Sequence, residues 1–253
     1  PGHARALLSL LTTAAASALA GNMASSRRGA FLLFEGVDRC GKTTQSRMLT
    51  EALRAAAPST TDSVEAIRFP DRTSPVGQLI NSYLQCSSDL SDEGVHLLFS
   101  ANRWEAAPSL EAKLRSGTTL VCDRYAYSGV AFSAAKGLDM AWCMAPDDGL
   151  PAPDVVIFLD LPPEAAAARG GYGGERYETP ELQKKVHSTF LRLRGADNVR
   201  WHVLDATRSV DELHAEIRTI AEDVMREVGD QPLGRLWAHP NMSQRQTPGP
   251  SDG

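Results

Sequence analysis

The chain is poor in cysteine and has no long run of strongly apolar residues. Its four cysteines are scattered over 253 residues, at Cys40, Cys86, Cys122 and Cys143, and none belongs to a Cys-x-x-Cys pair or to a Cys/His set with zinc spacing. Scattered cysteines favour reduced thiols over a disulfide framework. We therefore expect a reducing compartment, and we predict that the protein is cytoplasmic.

An excess of positive charge is also lacking. Lys plus Arg number 26 against 31 Asp plus Glu, which gives a formal net charge of -5. This acidic balance argues against binding driven by nucleic-acid phosphates, so we expect no nucleic-acid partner. The uncharged stretch over residues 7–20 is too short and too rich in alanine to span a membrane, so we expect no membrane partner either. A local cluster of arginines could still bind a phosphorylated small molecule.

The two ends of the chain differ in composition from the middle. Residues 1–28 contain Arg5 and a Leu/Ala/Ser/Thr-rich segment but no acidic residue, and residues 238–253 are rich in Pro, Ser, Gln and Gly. Two interpretations of residues 1–22 stay open. They are a native targeting segment, which would direct the chain to the mitochondrion or the nucleus, or non-native residues upstream of a natural start at Met23. We predict disorder over 1–28 and 238–253, and one domain over 29–237.

The most informative stretch is an apolar segment that ends in a glycine-rich loop. Phe31-Leu-Leu-Phe-Glu35 leads into Gly36-x-x-x-x-Gly41-Lys42-Thr43, the spacing of a phosphate-binding loop, and a good helix sequence follows. The glycines allow backbone angles that bulkier residues resist, so successive amide groups can surround an anion. The positive end of the helix faces the same place. The loop therefore predicts a nucleotide phosphate site in which Lys42 reaches the phosphates and Thr43 binds Mg²⁺.

Segments of strand character alternate with helical segments along the domain. The predicted strands are residues 30–35, 64–68, 118–123, 154–160 and 198–205. The predicted helices are residues 42–57, 76–85, a stretch from 91 that ends before Pro108, and then 109–115, 128–136, 140–144, 162–169, 180–194 and 210–228. This alternation predicts an α/β fold with a doubly wound five-stranded parallel sheet, helices on both faces, and a ligand crevice at the carboxyl ends of the strands. The glycine-rich segment 169–178 is expected to form a mobile lid.

Phosphoryl transfer requires a phosphate cradle, Mg²⁺, cations for the transferred group and a held acceptor. Two strand-end carboxylates could serve the metal, Asp123 and Asp160. We favour Asp123 because Arg124 and Tyr125 follow it, whereas Asp160 precedes a Pro-Pro helix start. Phe99 could either pack in the core of an amphipathic helix or stack on a base. The candidate cations lie in the loop, after predicted strands, on a predicted helix and around the lid. They are, in that order, Arg39, then Arg72 and Arg124, then Arg103, and then Arg169 and Arg176.

Five motifs in a fixed order make the interpretation more specific. They are Phe34-Glu-Gly-Val-Asp-Arg-Cys-Gly-Lys-Thr-Thr-Gln45, Arg68-Phe-Pro-Asp-Arg72, His96-Leu-Leu-Phe-Ser-Ala-Asn-Arg-Trp-Glu105, Asp123-Arg-Tyr-Ala-Tyr-Ser-Gly-Val-Ala-Phe132 and Glu175-Arg-Tyr-Glu178. Together they strongly resemble thymidylate kinases of the eukaryotic type, within the P-loop nucleoside monophosphate kinases. The resemblance runs from about residue 27 to residue 237. It implies transfer of the γ-phosphate of ATP to dTMP with Mg²⁺, and a homodimer.

The resemblance also implies a role for each matching residue. The catalytic residues would be Arg39, Lys42 and Asp38, and the metal would lie at Thr43 and Asp123. ATP would be bound by Gly36, Val37, Asp38, Arg39, Cys40, Gly41, Lys42, Thr43, Thr44, Arg169, Arg176 and Thr207. The acceptor dTMP would be bound by Asp38, Phe69, Arg72, Phe99, Arg103, Arg124, Ser128, Gly129, Phe132 and Tyr177.

Two alternatives to dTMP phosphorylation stay open. The first is a kinase for another nucleoside monophosphate or for a deoxynucleoside. A nucleoside kinase needs a general base for an uncharged hydroxyl, whereas Arg72 and Arg124 favour an acceptor that already carries a phosphate. The second is a P-loop switch without turnover. A GTPase-type switch would carry an Asn-Lys-x-Asp motif, which the chain lacks.

Overall fold

A computed structural model describes residues 27–56, 63–169 and 174–237. Its centre is a sheet of five parallel strands in the spatial order β2-β3-β1-β4-β5. The strands are β1 (Phe31–Glu35), β2 (Val64–Arg68), β3 (Thr119–Asp123), β4 (Val155–Asp160) and β5 (Arg200–Asp205). The predicted α/β class, strand number and parallel pairing are confirmed.

Burial explains why these segments are strands of a parallel sheet. Every residue of β1 and β3 is buried, and β4 is buried up to its last residue. Continuous apolar runs of this kind are typical of central parallel strands, which are covered on both faces. The edge strands β2 and β5 are mixed, with exposed residues along their length. The sheet therefore has an apolar centre and more polar margins.

Eight α-helices lie within the described ranges and cover the sheet. They are α1 (Lys42–Ala56), α2 (Pro75–Leu84), α3 (Asp92–Arg115), α4 (Ala126–Ala135), α5 (Met140–Met144), α6 (Pro163–Ala168), α7 (Pro180–Leu193) and α8 (Val210–Val228). On one face α1 packs against α8, and on the other α4 packs against α3 and α7. None of these helices is long and apolar enough to cross a membrane.

One predicted break is wrong. The sequence predicts a helix that stops before Pro108 and a second helix over 109–115, but α3 continues through Pro108 without interruption. A proline inside a helix removes one hydrogen bond and costs roughly 3 kcal/mol. Buried side chains lie on both sides of it, with Val95 before and Ala107, Leu110 and Leu114 around and after it. Their packing against the core outweighs the cost of the proline, so the helix continues.

The start of the folded part is also earlier than predicted. Arg28, which we expected in a disordered extension, is half-buried and ordered by its contacts. It donates two hydrogen bonds to Asp154, at 2.7 and 2.9 Å, and Asp154 accepts a further bond from the amide of Phe31 at 2.8 Å. This pairing fixes the entry of the chain into β1. Residues 1–26 of the predicted extension, the predicted tail 238–253 and residues 170–173 of the predicted lid lie outside the described residues.

The register of the sheet brings polar residues to one edge. Phe34 of β1 is level with Asp123 of β3, and Arg68 of β2 is level with Asp123 from the other side. Because all strands run in the same direction, their carboxyl ends form a single edge. The glycine-rich loop after β1 and the Asp123-Arg124 turn after β3 therefore meet there.

Candidate active site

The loop between β1 and α1 has the backbone conformation that a phosphate site requires. Gly36 and Gly41 have φ angles of 144° and 105°. A Cβ on Gly36 would lie 2.7 Å from the carbonyl oxygen of Leu159, so a larger residue does not fit there. Arg39 has φ 64°, in the left-handed region that costs an ordinary residue about 1–2 kcal/mol. Strain of this kind is concentrated at functional sites.

Lys42, the first residue of α1, lies inside this loop. Its side chain is buried, and the ammonium group donates to the carbonyl oxygen of Val37 at 2.6 Å and lies 3.5 Å from Cys40 Sγ. Thr43 and Thr44 follow it and are exposed at the start of the helix. The loop therefore encloses the Lys42 ammonium group, and Thr43 and Thr44 lie at the exposed start of the helix.

Thr43 and Asp123, the two residues for which a metal role was predicted, meet at the edge of the sheet. The Thr43 hydroxyl donates to Asp123 Oδ2 at 2.6 Å, and Arg68 Nε lies 3.8 Å from the same oxygen. The other carboxylate oxygen, Asp123 Oδ1, is buried and has no hydrogen-bond partner among the described residues. A buried carboxylate oxygen without a partner is costly. An oxygen-preferring cation would satisfy it, so the residues fit Mg²⁺.

The other strand-end carboxylate has a different environment. Asp160, at the end of β4, accepts a hydrogen bond from His187 Nε2 at 2.6 Å. It is paired with a side chain of α7, and its neighbour across the sheet is Asp205 of β5. Asp160 therefore has a structural partner in α7, whereas Asp123 contacts the Thr43 hydroxyl of the loop.

Two of the residues predicted to bind ATP lie beside the loop. Arg169 spans from the loop to β5, donating to the carbonyl oxygen of Arg39 at 3.0 Å and to that of Ala206 at 2.7 Å. Thr207 forms a tight turn after β5, in which its hydroxyl and amide both donate to Asp205 Oδ1. The ends of β1 and β5 and the first residue of the lid thus border one region.

Arg176, the other predicted lid arginine, lies elsewhere. It donates to the backbone oxygens of Tyr83 and Ser88 at 2.9 and 3.0 Å, and to Asp89 at 2.6 Å. Its guanidinium carbon also lies 4.3 Å from the centre of the Tyr83 ring. In the part of the chain described here, none of its hydrogen bonds reaches the phosphate loop. Arg176 attaches the lid to the corner between α2 and α3.

A pocket of about 100 Å³ opens beside the loop. It is bordered by the ends of β2 and β3, by α3 and α4, and by the lid. Every residue predicted to bind the acceptor contributes to its lining, which includes Asp38, Phe69, Arg72, Phe99, Arg103, Arg124, Ser128, Gly129, Phe132 and Tyr177. The structure therefore brings together residues that are spread over 140 positions of the sequence.

Arg124 joins the pocket to the phosphate loop. It has φ 69°, and its guanidinium contacts the Asp38 carboxylate, the Ser128 hydroxyl at 3.0 Å and the Gly36 carbonyl at 3.2 Å. Burial acts to lower the pKa of Arg124, but the carboxylates around it, Asp38 first, outweigh burial and raise that pKa. Arg124 is therefore a fixed positive charge between the two halves of the crevice.

Acidic residues of the lid hold two further arginines. Arg72 donates to Glu175 at 2.7 and 3.1 Å and to Asn81 at 2.9 Å. Arg39 donates to Glu178 at 3.1 Å. A forked contact between arginine and carboxylate has the same geometry as one between arginine and phosphate. Glu175 therefore occupies the face of Arg72 that a phosphate group could use.

Aromatic rings form the remaining walls of the pocket. Phe132 and Tyr177 stack with their ring centres 5.3 Å apart and their planes at 28°. Phe99 is only partly buried on α3 and faces the pocket, so its ring is not consumed by core packing. Burial raises the pKa of Tyr177, so this hydroxyl stays protonated at neutral pH. The pocket thus offers flat apolar surfaces next to cations.

Three buried residues that sequence reasoning missed support this site. Glu35 accepts hydrogen bonds from the amides of Tyr125 and Ser128 and from the Ser128 hydroxyl, and so fixes the turn that carries Arg124. Gln183 of α7 donates to Asp38 at 2.6 Å. Asp147 pairs with Arg103. Only Glu35 had a signal in the sequence, as a lone charge that ends an apolar strand.

A family model described as thymidylate kinase matches residues 34–217 of the chain. The chain belongs to the thymidylate kinase family. The thymidylate kinase of Danio rerio is 50% identical over 214 residues, which cover 84% of this chain and 99% of that protein. Human thymidylate kinase is 49% identical over 214 residues, with the same coverage of 84% and 99%.

A solved structure agrees with these sequence matches. The thymidylate kinase of Candida albicans superposes with a TM-score of 0.75 at 35% identity, over 83% of this chain and 99% of the other. The resemblance to the thymidylate kinase family drawn from the five motifs is confirmed, and so is the P-loop kinase fold.

Proposed function

We propose that the protein transfers the γ-phosphoryl group of ATP to dTMP and releases ADP and dTDP. The observation that carries the proposal is the meeting of two sets of cations in one crevice. Lys42 lies within the phosphate loop, and Arg72 and Arg124 line the pocket beside it. An acceptor that already carries a phosphate requires such additional arginines, whereas the hydroxyl of a nucleoside would require a general base.

On the donor side, the loop amides and Lys42 hold the phosphates of ATP, with Thr44 at the helix start. Arg169 and Thr207 border the region where the base of ATP would lie. Arg39 is assigned to stabilise the phosphoryl group during transfer. The support is its position within the loop, where it has φ 64° and its guanidinium donates to Glu178 of the lid at 3.1 Å. Such transfer depends on positioning and charge stabilisation more than on covalent catalysis.

On the acceptor side, Arg72 and Arg124 hold the phosphate of dTMP. Its oxygen attacks the γ-phosphorus while the bond to the β-phosphate oxygen breaks, and ADP leaves. Phe99 stacks on the thymine ring and Arg103 donates a hydrogen bond to it. Asp38 and Tyr177 contact the sugar side. Support for these roles comes from the common pocket, in which all of these side chains are lining residues.

Mg²⁺ is proposed to bind at Thr43 and Asp123. The support is the buried Asp123 Oδ1, which has no partner among the described residues, next to the Thr43 hydroxyl. When bound, Mg²⁺ neutralises charge on the donor phosphates. Thr43 and Asp123 orient it, either directly or through its water ligands.

The experiment that tests the proposal compares Lys42→Ala and Arg39→Ala with the unchanged protein. We expect kcat for dTMP phosphorylation to fall by at least about a hundredfold in each, the usual cost of losing one preorganised charge contact to a transition state. Lys113→Ala is the matched control, because Lys113 is a surface lysine that pairs with Glu65 at the far end of α3. Near-normal turnover in Lys42→Ala with a folded protein would contradict the assigned roles.

We also propose that the protein is a homodimer located in the cytoplasm. Three exposed leucines support the first point. Leu79, Leu90 and Leu97 are 55%, 41% and 48% exposed on and between α2 and α3, which pack against each other. We take these exposed leucines on two neighbouring helices as the proposed association surface. Four free cysteines support a reducing compartment. Light scattering on the purified protein and its Leu97→Glu variant would test the dimer, which should dissociate in the variant.

A further inference from the structure

Arg103 is a buried cation in the wall of the acceptor pocket. Its side chain is 2% exposed and is among the largest fully buried side chains of the described residues. A buried charge is tolerated only when it is paired and hydrogen-bonded. The partner of Arg103 therefore determines how its guanidinium can be presented to a substrate.

That partner is Asp147, which is fully buried at the end of a short 3-10 turn after α5. Its two oxygens accept from Arg103 Nε at 3.1 Å and from Nη2 at 2.5 Å. The Ser100 hydroxyl donates to Asp147 Oδ1 at 2.7 Å. Trp104 Nε1 donates to the carbonyl oxygen of the neighbouring Pro146 at 2.7 Å. Side chains of α3 thus fix this turn next to the Arg103 guanidinium.

One face of the Arg103 guanidinium packs against α4. A Cβ on Gly129 would lie 2.8 Å from Nη2 and 3.1 Å from Nη1, so Arg103 packs flat against a helix position without a side chain. Two of its three nitrogens are bound to Asp147. Among the described residues, the third, Nη1, has no hydrogen-bond partner, and Arg103 lines the pocket. One donor edge is left for a ligand.

We infer that Asp147 is a positioning residue that gives the pocket its selectivity for the base. It fixes the guanidinium plane and neutralises its charge, so that Arg103 presents N–H donors to the base and does not compete for the acceptor phosphate. A pyrimidine with a carbonyl oxygen at ring position 4 accepts from these donors. Cytosine presents an amino group there, which would leave a donor facing the Arg103 donors. This inference rests on the proposed contact between Arg103 and the base.

Sites that are built to hydrogen-bond one substrate group reject the analogue that lacks it by large factors, because their buried polar groups are left unpaired. Without the Asp147 carboxylate, the guanidinium is free to turn and its charge is no longer compensated. The selectivity for dTMP over dCMP should then fall even when the pocket walls are intact.

The test measures kcat/KM for dTMP and for dCMP in Asp147→Asn, Ser100→Ala and Arg103→Gln, together with the KM for ATP and the thermal midpoint of each variant. Asp147→Asn keeps the shape of the side chain, and we expect the dTMP/dCMP ratio to fall roughly tenfold or more, with the KM for ATP changed less than about twofold. Ser100→Ala removes one hydrogen bond from Asp147 without touching Arg103, and we expect a smaller shift in the same direction. If Asp147→Asn does not fold, Ser100→Ala still tests the inference.

The outcomes separate this inference from the function on which it rests. If Arg103→Gln lowers the ratio but neither Asp147→Asn nor Ser100→Ala does, the positioning role of Asp147 is refuted and the contact between Arg103 and the base stands. If kcat/KM for both acceptors falls equally along with the thermal midpoint, Asp147 is only structural and the inference is wrong. If Arg103→Gln leaves the ratio unchanged, the proposed contact itself fails.

Discussion

Replacing Glu175 by glutamine should tighten the binding of dTMP. In the structure, Glu175 holds Arg72 through two hydrogen bonds of 2.7 and 3.1 Å. Arg72 cannot grip the acceptor phosphate with the same face until this contact is broken. The carboxylate of the lid therefore competes with the substrate, and glutamine keeps its shape while removing its charge.

The size of the effect follows from the exposure of the pair. Both side chains are 36% exposed, so water screens their attraction. Ion pairs of this kind contribute about 0.2–1 kcal/mol, which corresponds to a factor of about 1.4 to 5 in an equilibrium constant. We expect the Kd of dTMP, measured without ATP, to fall by a factor in this range. Raising the salt concentration should reduce the difference between the two proteins, because it weakens the competing pair in the unchanged protein.

Calorimetric titration of dTMP at low and high salt provides the measurement. Glu65→Gln is a matched control, because Glu65 pairs with Lys113 at similar exposure, 41% and 36%, outside the pocket. This control should leave the Kd unchanged. A weaker dTMP complex in Glu175→Gln would refute the reasoning, since it would mean that Glu175 itself binds the substrate. An unchanged Kd at low salt would show that the contact in the free protein does not compete.

Three further perturbations test separate parts of the account. Phe99→Ala should raise the KM for dTMP about 5- to 150-fold through the loss of base stacking, with little change in the KM for ATP. Glu93→Ala, at an exposed position of the same helix, should leave both KM values unchanged. Asp123→Asn should raise the Mg²⁺ concentration for half-maximal turnover at least about tenfold, and Asp160→Asn should not. His96→Gln should remove a loss of stability that the unchanged protein shows below about pH 6.5, measured by urea unfolding.

The sign of the His96 effect follows from its burial. Its ring nitrogens lie 2.8 Å from Ser133 Oγ and 2.9 Å from the Cys143 carbonyl oxygen. Burial, with Arg103 nearby, lowers the pKa of His96 in the folded protein. The unfolded chain therefore takes up a proton first as the pH falls, and the folded state loses up to about 1.4 kcal/mol per pH unit relative to the variant. A constant difference between pH 5 and 8 would show that His96 is not the group involved.

If Phe99→Ala changes the KM for dTMP and the KM for ATP equally, Phe99 belongs to the core, because loss of core packing would not affect one substrate more than the other. If the Mg²⁺ concentration for half-maximal turnover rises in Asp160→Asn and not in Asp123→Asn, the metal role belongs to Asp160 and the assignment to Asp123 is wrong.

The sheet and the phosphate loop could be predicted because their signals are local. Gly36 and Gly41 stand at a fixed spacing after a buried apolar strand, and that spacing has a direct steric reason. The strand bounds were predicted to within one or two residues, since polar and apolar residues change abruptly at their ends. Pro108 misled the prediction because tertiary packing on both sides of it outweighs the local cost of a proline in a helix.

The partners of the site residues could not be predicted, since each comes from a distant segment. Asp147 meets Arg103 across 44 positions, and Gln183 meets Asp38 across 145. Arg176 lies in a motif of the lid, yet its contacts are with the α2–α3 corner. A motif indicates which residues share a site, but the direction of each side chain is decided by the elements packed around it.

The measurement that tests the central claim most directly is the acceptor specificity of the purified protein with ATP and Mg²⁺. Steady-state rates with dTMP, dUMP, UMP and thymidine would be compared at equal enzyme concentration. The account predicts the highest kcat/KM for dTMP, because Arg72 and Arg124 provide cations for an acceptor phosphate and the described pocket walls suit a pyrimidine. A clear preference for thymidine over dTMP would contradict it, since these arginines would then have no phosphate to bind.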